Sequence, residues 1–182
     1  MGIVLVLGGT KTGKTTFAEN RAREISEKQE IPVYYIATAR AIDEEMVKRI
    51  SKHRKKRPDH WITIEEPIHV SSVLGPLRDK KTVIILDCLT LLLTNLIYEK
   101  GDSCTRDEAE KLVFSEIERI IMETSNWENE LIIISNQVEN GLVSEHAWAR
   151  MFQDIAGISH QKLAAAAEQV YLMNAGLSQK LK

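Results

Sequence analysis

Five short runs of aliphatic and β-branched residues punctuate the chain: IVLVL at 3–7, VYYIA at 33–37, VIIL at 83–86, LIII at 131–134 and VYLM at 170–173. Each is apolar at consecutive rather than alternate positions, as expected of a strand covered on both faces. Between them the apolar positions recur at helical spacing, which predicts helices over 14–29, 43–54, 69–78, 89–98, 106–124 and 145–167, the last ending in the alanine-rich KLAAAAEQ. Strands alternating with helices predict an α/β fold, with one mostly parallel central sheet flanked by helices. No internal repeat, low-complexity tract or linker interrupts the pattern, so residues 1–182 read as one domain. In the second helix Asp43 is a good N-cap, and the apolar stripe Ile42, Met46 and Ile50 predicts that His53, three residues on, leans toward the protein body.

Composition narrows the partners. With 24 basic and 26 acidic residues the net charge is -2, so the chain as a whole attracts neither nucleic acid nor an anionic membrane. The run VIILDCLTLLLTNLI is too short, and too interrupted by Asp87, Thr90, Thr94 and Asn95, for membrane insertion. Cys88 and Cys104 form no CxxC pair and no zinc pattern, and the apolar start runs at once into GGTKTGKTT rather than into a cleavage site. A reducing, cytoplasmic setting is the expectation.

Charge is nevertheless unevenly spread. In MVKRISKHRKKRPDHW, residues 46–61, His53 stands among Lys48, Arg49, Lys52, Arg54, Lys55, Lys56 and Arg57. A helix ending before Pro58 would carry these cations near its negative end, where the macrodipole favours them, and His53 would then be one more surface residue.

The most specific local signal is GGTKTGKT at 8–15, which fits G-x-x-x-x-G-K-[ST] between a predicted strand and a predicted helix. Gly8, Gly9, Thr10, Lys11, Thr12 and Gly13 form the curl whose N–H groups face phosphate oxygens, and the helix adds its positive end through Thr16. Lys14 is placed to reach the β- and γ-phosphates, and the Thr15 hydroxyl to ligate Mg²⁺. Such loops work with a carboxylate at the end of a nearby strand, and VIILD supplies Asp87 as the second Mg²⁺ ligand. No NKxD-type guanine-reading motif is present, which argues against a regulatory GTPase.

Beyond the loop, GGTKTGKTTFAE, YIATARAIDEEMVKRISKHRKKRPDHW, ILDCLTLLLTNLI and the closing LAAAAEQVYLMNAGLSQKLK occur in an order that resembles the bifunctional adenosylcobinamide kinase / adenosylcobinamide-phosphate guanylyltransferase family over nearly the full length. The resemblance implies a RecA-like P-loop NTPase fold, usually a homotrimer, that phosphorylates a corrinoid with ATP or GTP and then transfers GMP from GTP to the new phosphate. It also implies that His53, in H-x-x-x-R-P, is the guanylylated nucleophile, and that Arg54, Lys55, Lys56, Arg57 and Glu65 border the nucleotide. The chemistry agrees: a neutral imidazole attacks phosphorus, and surrounding cations disfavour imidazolium while offsetting triphosphate charge. His60 is expected to be structural, and His69, His146 and His160 to be surface residues.

The chain departs from the family pattern at two places. It has Asn136, Gln137, Val138 and Glu139 where NEVG is common, and Gln153, Asp154, Gly157, His160 and Gln161 where RD…G…NQ is common. Two other classes fit the loop alone: a small-molecule kinase without guanylyl transfer, and a non-catalytic GTP-binding module.

Overall fold

The computed structural model describes residues 2–55, 57–101 and 103–182. Among the described residues seven strands form one sheet in the order β3-β2-β4-β5-β1-β6-β7. They are β1 (Ile3–Gly8), β2 (Val33–Ala37), β3 (Ile62–Glu65), β4 (Val83–Asp87), β5 (Glu130–Asn136), β6 (Gln169–Asn174) and β7 (Leu177–Lys180). All pairings are parallel except β6 with β7. The helices are α1 (Lys14–Gln29), α2 (Glu44–Arg54), α3 (Val70–Leu74), α4 (Leu89–Tyr98), α5 (Arg106–Thr124) and α6 (Ala147–Ala166).

Consecutive apolar residues in the central strands feed two cores. Ile3, Leu5 and Leu7 join Ile84, Leu86 and the apolar faces of α4, α5 and α6 on one side. Val4 and Val6 join Ile85, Ile132 and the small residues Ala18 and Ala22 of α1 on the other. Those alanines let α1 lie close on the sheet, and Arg21 fixes it there through a two-pronged bond to buried Glu130 at 2.6 and 2.9 Å. A buried charge pair of this kind sets position more than it adds stability.

The five apolar runs are all strands, but two further strands flank them. β3 and β7 lie at the sheet's edges, and every residue of β7 is exposed. The helix expected over 69–78 stops at Leu74 and continues as a 3₁₀ turn over Gly75–Leu77, because Pro76 has no N–H to donate to the helical ladder. Among the described residues no helix is long and apolar enough to cross a membrane.

Candidate functional site

The ends of β1, β2 and β4 meet at one edge of the sheet, and the phosphate-loop residues sit there. Gly8 closes β1 with φ 151°, and a Cβ on it would come within 2.5 Å of the Met173 carbonyl oxygen. Gly13 is left-handed at φ 98°, and a Cβ there would lie 3.3 Å from Gly176. The loop is cross-braced from within, since the Thr12 hydroxyl and the Lys14 ammonium both donate to the Gly9 carbonyl, at 2.9 and 2.6 Å. It is also held from both sides: Gln137 N–H donates to Gly8 O at 3.1 Å, and Gly176 N–H donates to Thr12 O at 3.1 Å.

Gly9, Thr10, Lys11 and Thr16 are exposed, while Thr15 is half-buried at the head of α1. Lys14 is buried, and burial holds its ammonium below the usual lysine range, with nearby Cys88 and Asp87 pulling the other way. A cation kept short of solvent beside open N–H groups gains when an anion arrives.

Asp87 ends β4 two strands from the loop. Tyr35 on β2 donates its hydroxyl to Asp87 Oδ2, and burial, followed by the Asp87 charge, pushes the Tyr35 phenol far above its usual range. The segment behind Asp87 is fixed by buried Thr38: its hydroxyl donates to Cys88 O and accepts from Cys88 N–H, both at 2.8 Å. Asn95 on α4 donates to Thr38 O at 2.8 Å and Pro67 O at 3.0 Å, tying the ends of three strands together. Cys88 is a free, buried thiol that burial, with the Asp87 charge, pushes up to about 11.

The basic segment departs from expectation. Asp43 caps α2, accepting from Met46 N–H at 2.7 Å, but α2 has no buried residue. Ile42 is 73% exposed and His53 is exposed, so the apolar stripe does not draw His53 into the body. Met46 and Ile50 of the stripe are half-buried, and none of it is fully buried. Contact resumes after the helix, where Arg57 lies 3.7 Å from the centre of the Tyr35 ring and Trp61 is buried against the same ring. Arg54 pairs with Glu65 at 3.6 Å with both side chains exposed, Lys55 is exposed, and Lys56 lies outside the described residues.

Glu19 on α1 joins these parts. Its carboxyl stands above the usual range through burial and the Asp87 charge, while the charges of His53, Arg57 and Arg23 oppose that rise. Lys14, Asp87, His53 and Arg57 thus act on one electrostatic neighbourhood. Tyr35, Thr38, Asn95 and Glu19 belong to it although no sequence motif singles them out; the one signal is that Asn95, with Thr90 and Thr94, interrupts the apolar run of α4.

At the other end of the chain, His160 is buried, not a surface residue. Its Nε2 pairs with the Ser135 hydroxyl and its Nδ1 with Glu139 Oε1, both at 2.7 Å. Glu139 and His160 are both positions of departure, and they contact each other. Gln153, a third, donates to Val138 O at 3.1 Å. His60, His69 and His146 are exposed.

Comparison with known proteins gives the family and the fold. The model for "Cobinamide kinase / cobinamide phosphate guanyltransferase" matches residues 4–181. The bifunctional adenosylcobalamin biosynthesis protein CobU of Escherichia coli is 35% identical over 99% of both chains. The corresponding CobP of Pseudomonas aeruginosa is 37% identical over 98% of this chain and 96% of its own. Among solved structures, the flagellar accessory protein FlaH from Methanocaldococcus jannaschii matches with TM-score 0.51 at 14% identity, covering 100% of this chain and 78% of that one. That likeness is one of fold, and the fold is the RecA-like P-loop type.

Proposed function

We infer the activity from membership: the chain belongs to the cobinamide kinase / cobinamide phosphate guanyltransferase family, and it carries out both reactions. In the first, the acceptor hydroxyl of adenosylcobinamide attacks the γ-phosphorus of ATP or GTP and the nucleoside diphosphate leaves. In the second, the product's phosphate receives GMP from GTP and pyrophosphate is released.

The site residues have separable roles in this reading. Loop N–H groups from Gly9 to Lys14 and the head of α1 hold the triphosphate, and Lys14 neutralises its β- and γ-oxygens. Thr15 and Asp87 would hold Mg²⁺, an ion that takes one or two protein oxygens and fills its remaining positions with phosphate and water. One Asp87 oxygen is committed to Tyr35 and the other is not, which fits a single metal bond. When bound, Mg²⁺ supplies charge neutralisation on the transferred phosphoryl group. His53 is the guanylyl acceptor: an imidazole nitrogen bonds to the α-phosphorus as the bond to pyrophosphate breaks. The corrinoid phosphate oxygen then displaces the imidazole, giving adenosylcobinamide-GDP and free His53. Arg54, Lys55, Lys56, Arg57 and Glu65 border the nucleotide in that step.

The observation that carries this reading is geometric: the phosphate loop between β1 and α1 opens at the same sheet edge as Asp87, and Tyr35, which donates to Asp87, is covered by Arg57 of the basic segment. A helix as exposed as α2 also suits a homotrimer in which a neighbouring copy covers its stripe, and the free thiols suit a cytoplasmic protein of one domain. The test is incubation with GTP labelled at the α-phosphate, followed by denaturation. Label on the chain, discharged by adenosylcobinamide phosphate, is the expected result; kinase turnover without label would leave a kinase alone, and nucleotide binding without either a binding module.

A further inference from the structure

The acceptor in the two reactions is a broad corrin macrocycle edged with amides, of which only one arm carries the reacting oxygen. Cavities of about 360 and 290 Å³ among the described residues match only the lower end of the roughly 300–1,000 Å³ that drug-sized ligands fill. A corrinoid is larger than such ligands, so it must rest on an open surface beside the site.

One exposed surface has the form for this. Phe152, buried in the core, stacks on Trp148 with ring centres 5.3 Å apart and planes 5° apart, and Trp148 stacks on Tyr98 at 5.6 Å and 14°. The three rings step outward from the core, and the outer two are exposed. The segment before α6 adds Leu142 and Val143, 95% and 83% exposed. That segment is held to α6, because Gln153 donates to Val138 O and Leu142 O at 3.1 and 3.5 Å, and Arg150 to Ser144 O and Glu145 O at 2.9 and 2.8 Å. Large apolar groups fixed in water in this way mark a binding surface. Its place is set by α4, which starts two residues past Asp87 and is 10 residues, about 15 Å, long. The helix stays at the loop edge of the sheet, since Asn95 bonds the carbonyls of Thr38 and Pro67, which follow β2 and β3. Tyr98, its last residue, therefore lies within about one helix length of Asp87. Glu99, the next residue, pairs at 2.8 Å with Arg40, three residues before the Asp43 cap of α2. The rings are thus linked to the metal-side carboxylate by α4 and to the helix of His53 by an ion pair.

We propose that the stacked face of Tyr98 and Trp148, with Leu142 and Val143, is where the corrin macrocycle of the acceptor rests in both reactions. Only the hydroxyl-bearing arm then moves, from the γ-phosphate in the first to the guanylylated His53 in the second. The proposal rests on the reading of the chain as kinase and guanylyltransferase. Rings with few rotamers present a wide apolar area at little entropic cost, which suits a broad, rigid ligand. Exposed Asn140 and Glu145 and half-buried Ser144, on the same segment, offer hydrogen-bond partners to its amide rim. The surface is continuous with the edge that carries Asp87 and the phosphate loop, and this continuity favours the acceptor over a second copy of the chain as its occupant.

Tyr98, Leu142 and Val143 are exposed, so Tyr98→Ala and the double substitution Leu142→Glu with Val143→Glu change the surface and leave the core intact. Steady-state kinetics of both reactions separate corrinoid from nucleotide binding. Both variants should raise KM for adenosylcobinamide, and for its phosphate in the second reaction, about tenfold or more. KM for ATP should stay as in wild type, as should GMP-adduct formation from α-labelled GTP, which needs no corrinoid. Sedimentation should give both variants the mass of the wild-type assembly. Corrinoid KM unchanged in both variants overturns the surface, and so does a KM for ATP that rises in step with it. A lower sedimenting mass gives the face to a subunit contact and overturns the proposal as well. A wild-type chain that fails to phosphorylate adenosylcobinamide overturns instead the kinase reading beneath it.

Discussion

Tyr35 and Asp87 stand on neighbouring strands, β2 and β4, and the phenol hydroxyl of one donates to the carboxylate of the other. The register pairs Asp87 with Ala37, two residues beyond Tyr35, so both side chains share a sheet face and meet on the diagonal. Arg57 covers the same ring. A single tyrosine thus orients the carboxylate and anchors the chain leaving α2.

Tyr35→Phe keeps the ring and the Arg57 contact but removes the donor. The Asp87 carboxylate is then less well oriented, a change that in metal sites typically weakens metal affinity by about 10- to 100-fold. The kinase rate of this variant should require more Mg²⁺ for half-saturation, with stability lowered by about 1 kcal/mol in urea denaturation. Asp87→Asn should shift the Mg²⁺ requirement further. Mg²⁺ curves that overlay for both variants and wild type would remove Asp87 from the metal site.

Lys14 gives a pH signature. Burial lowers its pKa from the usual 10.5, and a bound triphosphate, by placing negative charge beside the ammonium, must raise it again. Binding therefore takes up a proton in the alkaline range, and affinity falls as pH rises through the lowered value of the free protein. Titration of inorganic triphosphate in two buffers of different ionisation enthalpy should report this uptake for wild type and none for Lys14→Met. Proton uptake that persists in Lys14→Met would assign the linkage to another group.

The parts of the fold that sequence makes visible are those whose pattern is local and uniform. β1, β4 and β5 are buried apolar runs, β2 and β6 are apolar runs that are only partly buried, and the phosphate loop is a contiguous motif. β3 is a half-exposed edge strand, and β7 reads LSQK with all four residues exposed, so neither carries an apolar run. The hairpin before β7 hides its turn, because Ala175 occupies a left-handed position, φ 50°, that Asn or Gly more often marks. The site splits the same way. Lys14 and Asp87 follow from motif and strand end, but the Tyr35 hydrogen bond and the Arg57 stack depend on β2 lying beside β4, an order fixed only by the whole sheet. His160 shows the converse: its position in a helix says nothing of Ser135, brought under it by β5.

The Ser135, His160 and Glu139 chain predicts a stability effect away from the phosphate loop. His160→Ala leaves the buried Ser135 hydroxyl and one Glu139 oxygen without their partner, and removes a packed ring, for a loss of about 2–4 kcal/mol. His160→Asn, which retains hydrogen-bonding groups, should recover part of it. Urea midpoints with unchanged slopes measure both, and a His160→Ala protein as stable as wild type would show that the array contributes nothing to the fold.

His53 carries the sharpest expectation, because its two readings diverge chemically. The kinase step needs a positioned hydroxyl and a stabilised γ-phosphoryl group, neither of which requires an imidazole, whereas guanylyl transfer needs a side chain that holds GMP. His53 is exposed on a helix without buried residues, so its removal leaves the core intact. His53→Ala should then retain kinase activity within about threefold of wild type while losing the GMP adduct and adenosylcobinamide-GDP formation by more than about 1000-fold, the scale expected when a covalent nucleophile is deleted. Lys14→Ala, by contrast, should depress both reactions, since in the proposed reading one loop holds the triphosphate for each. The wild-type adduct should be labile to acid and stable to alkali, as a phosphorus–nitrogen bond to imidazole is and a serine phosphodiester is not. Label that persists on His53→Ala, or a wild-type adduct that survives acid, would return His53 to the charged surface of α2 and place the nucleophile elsewhere.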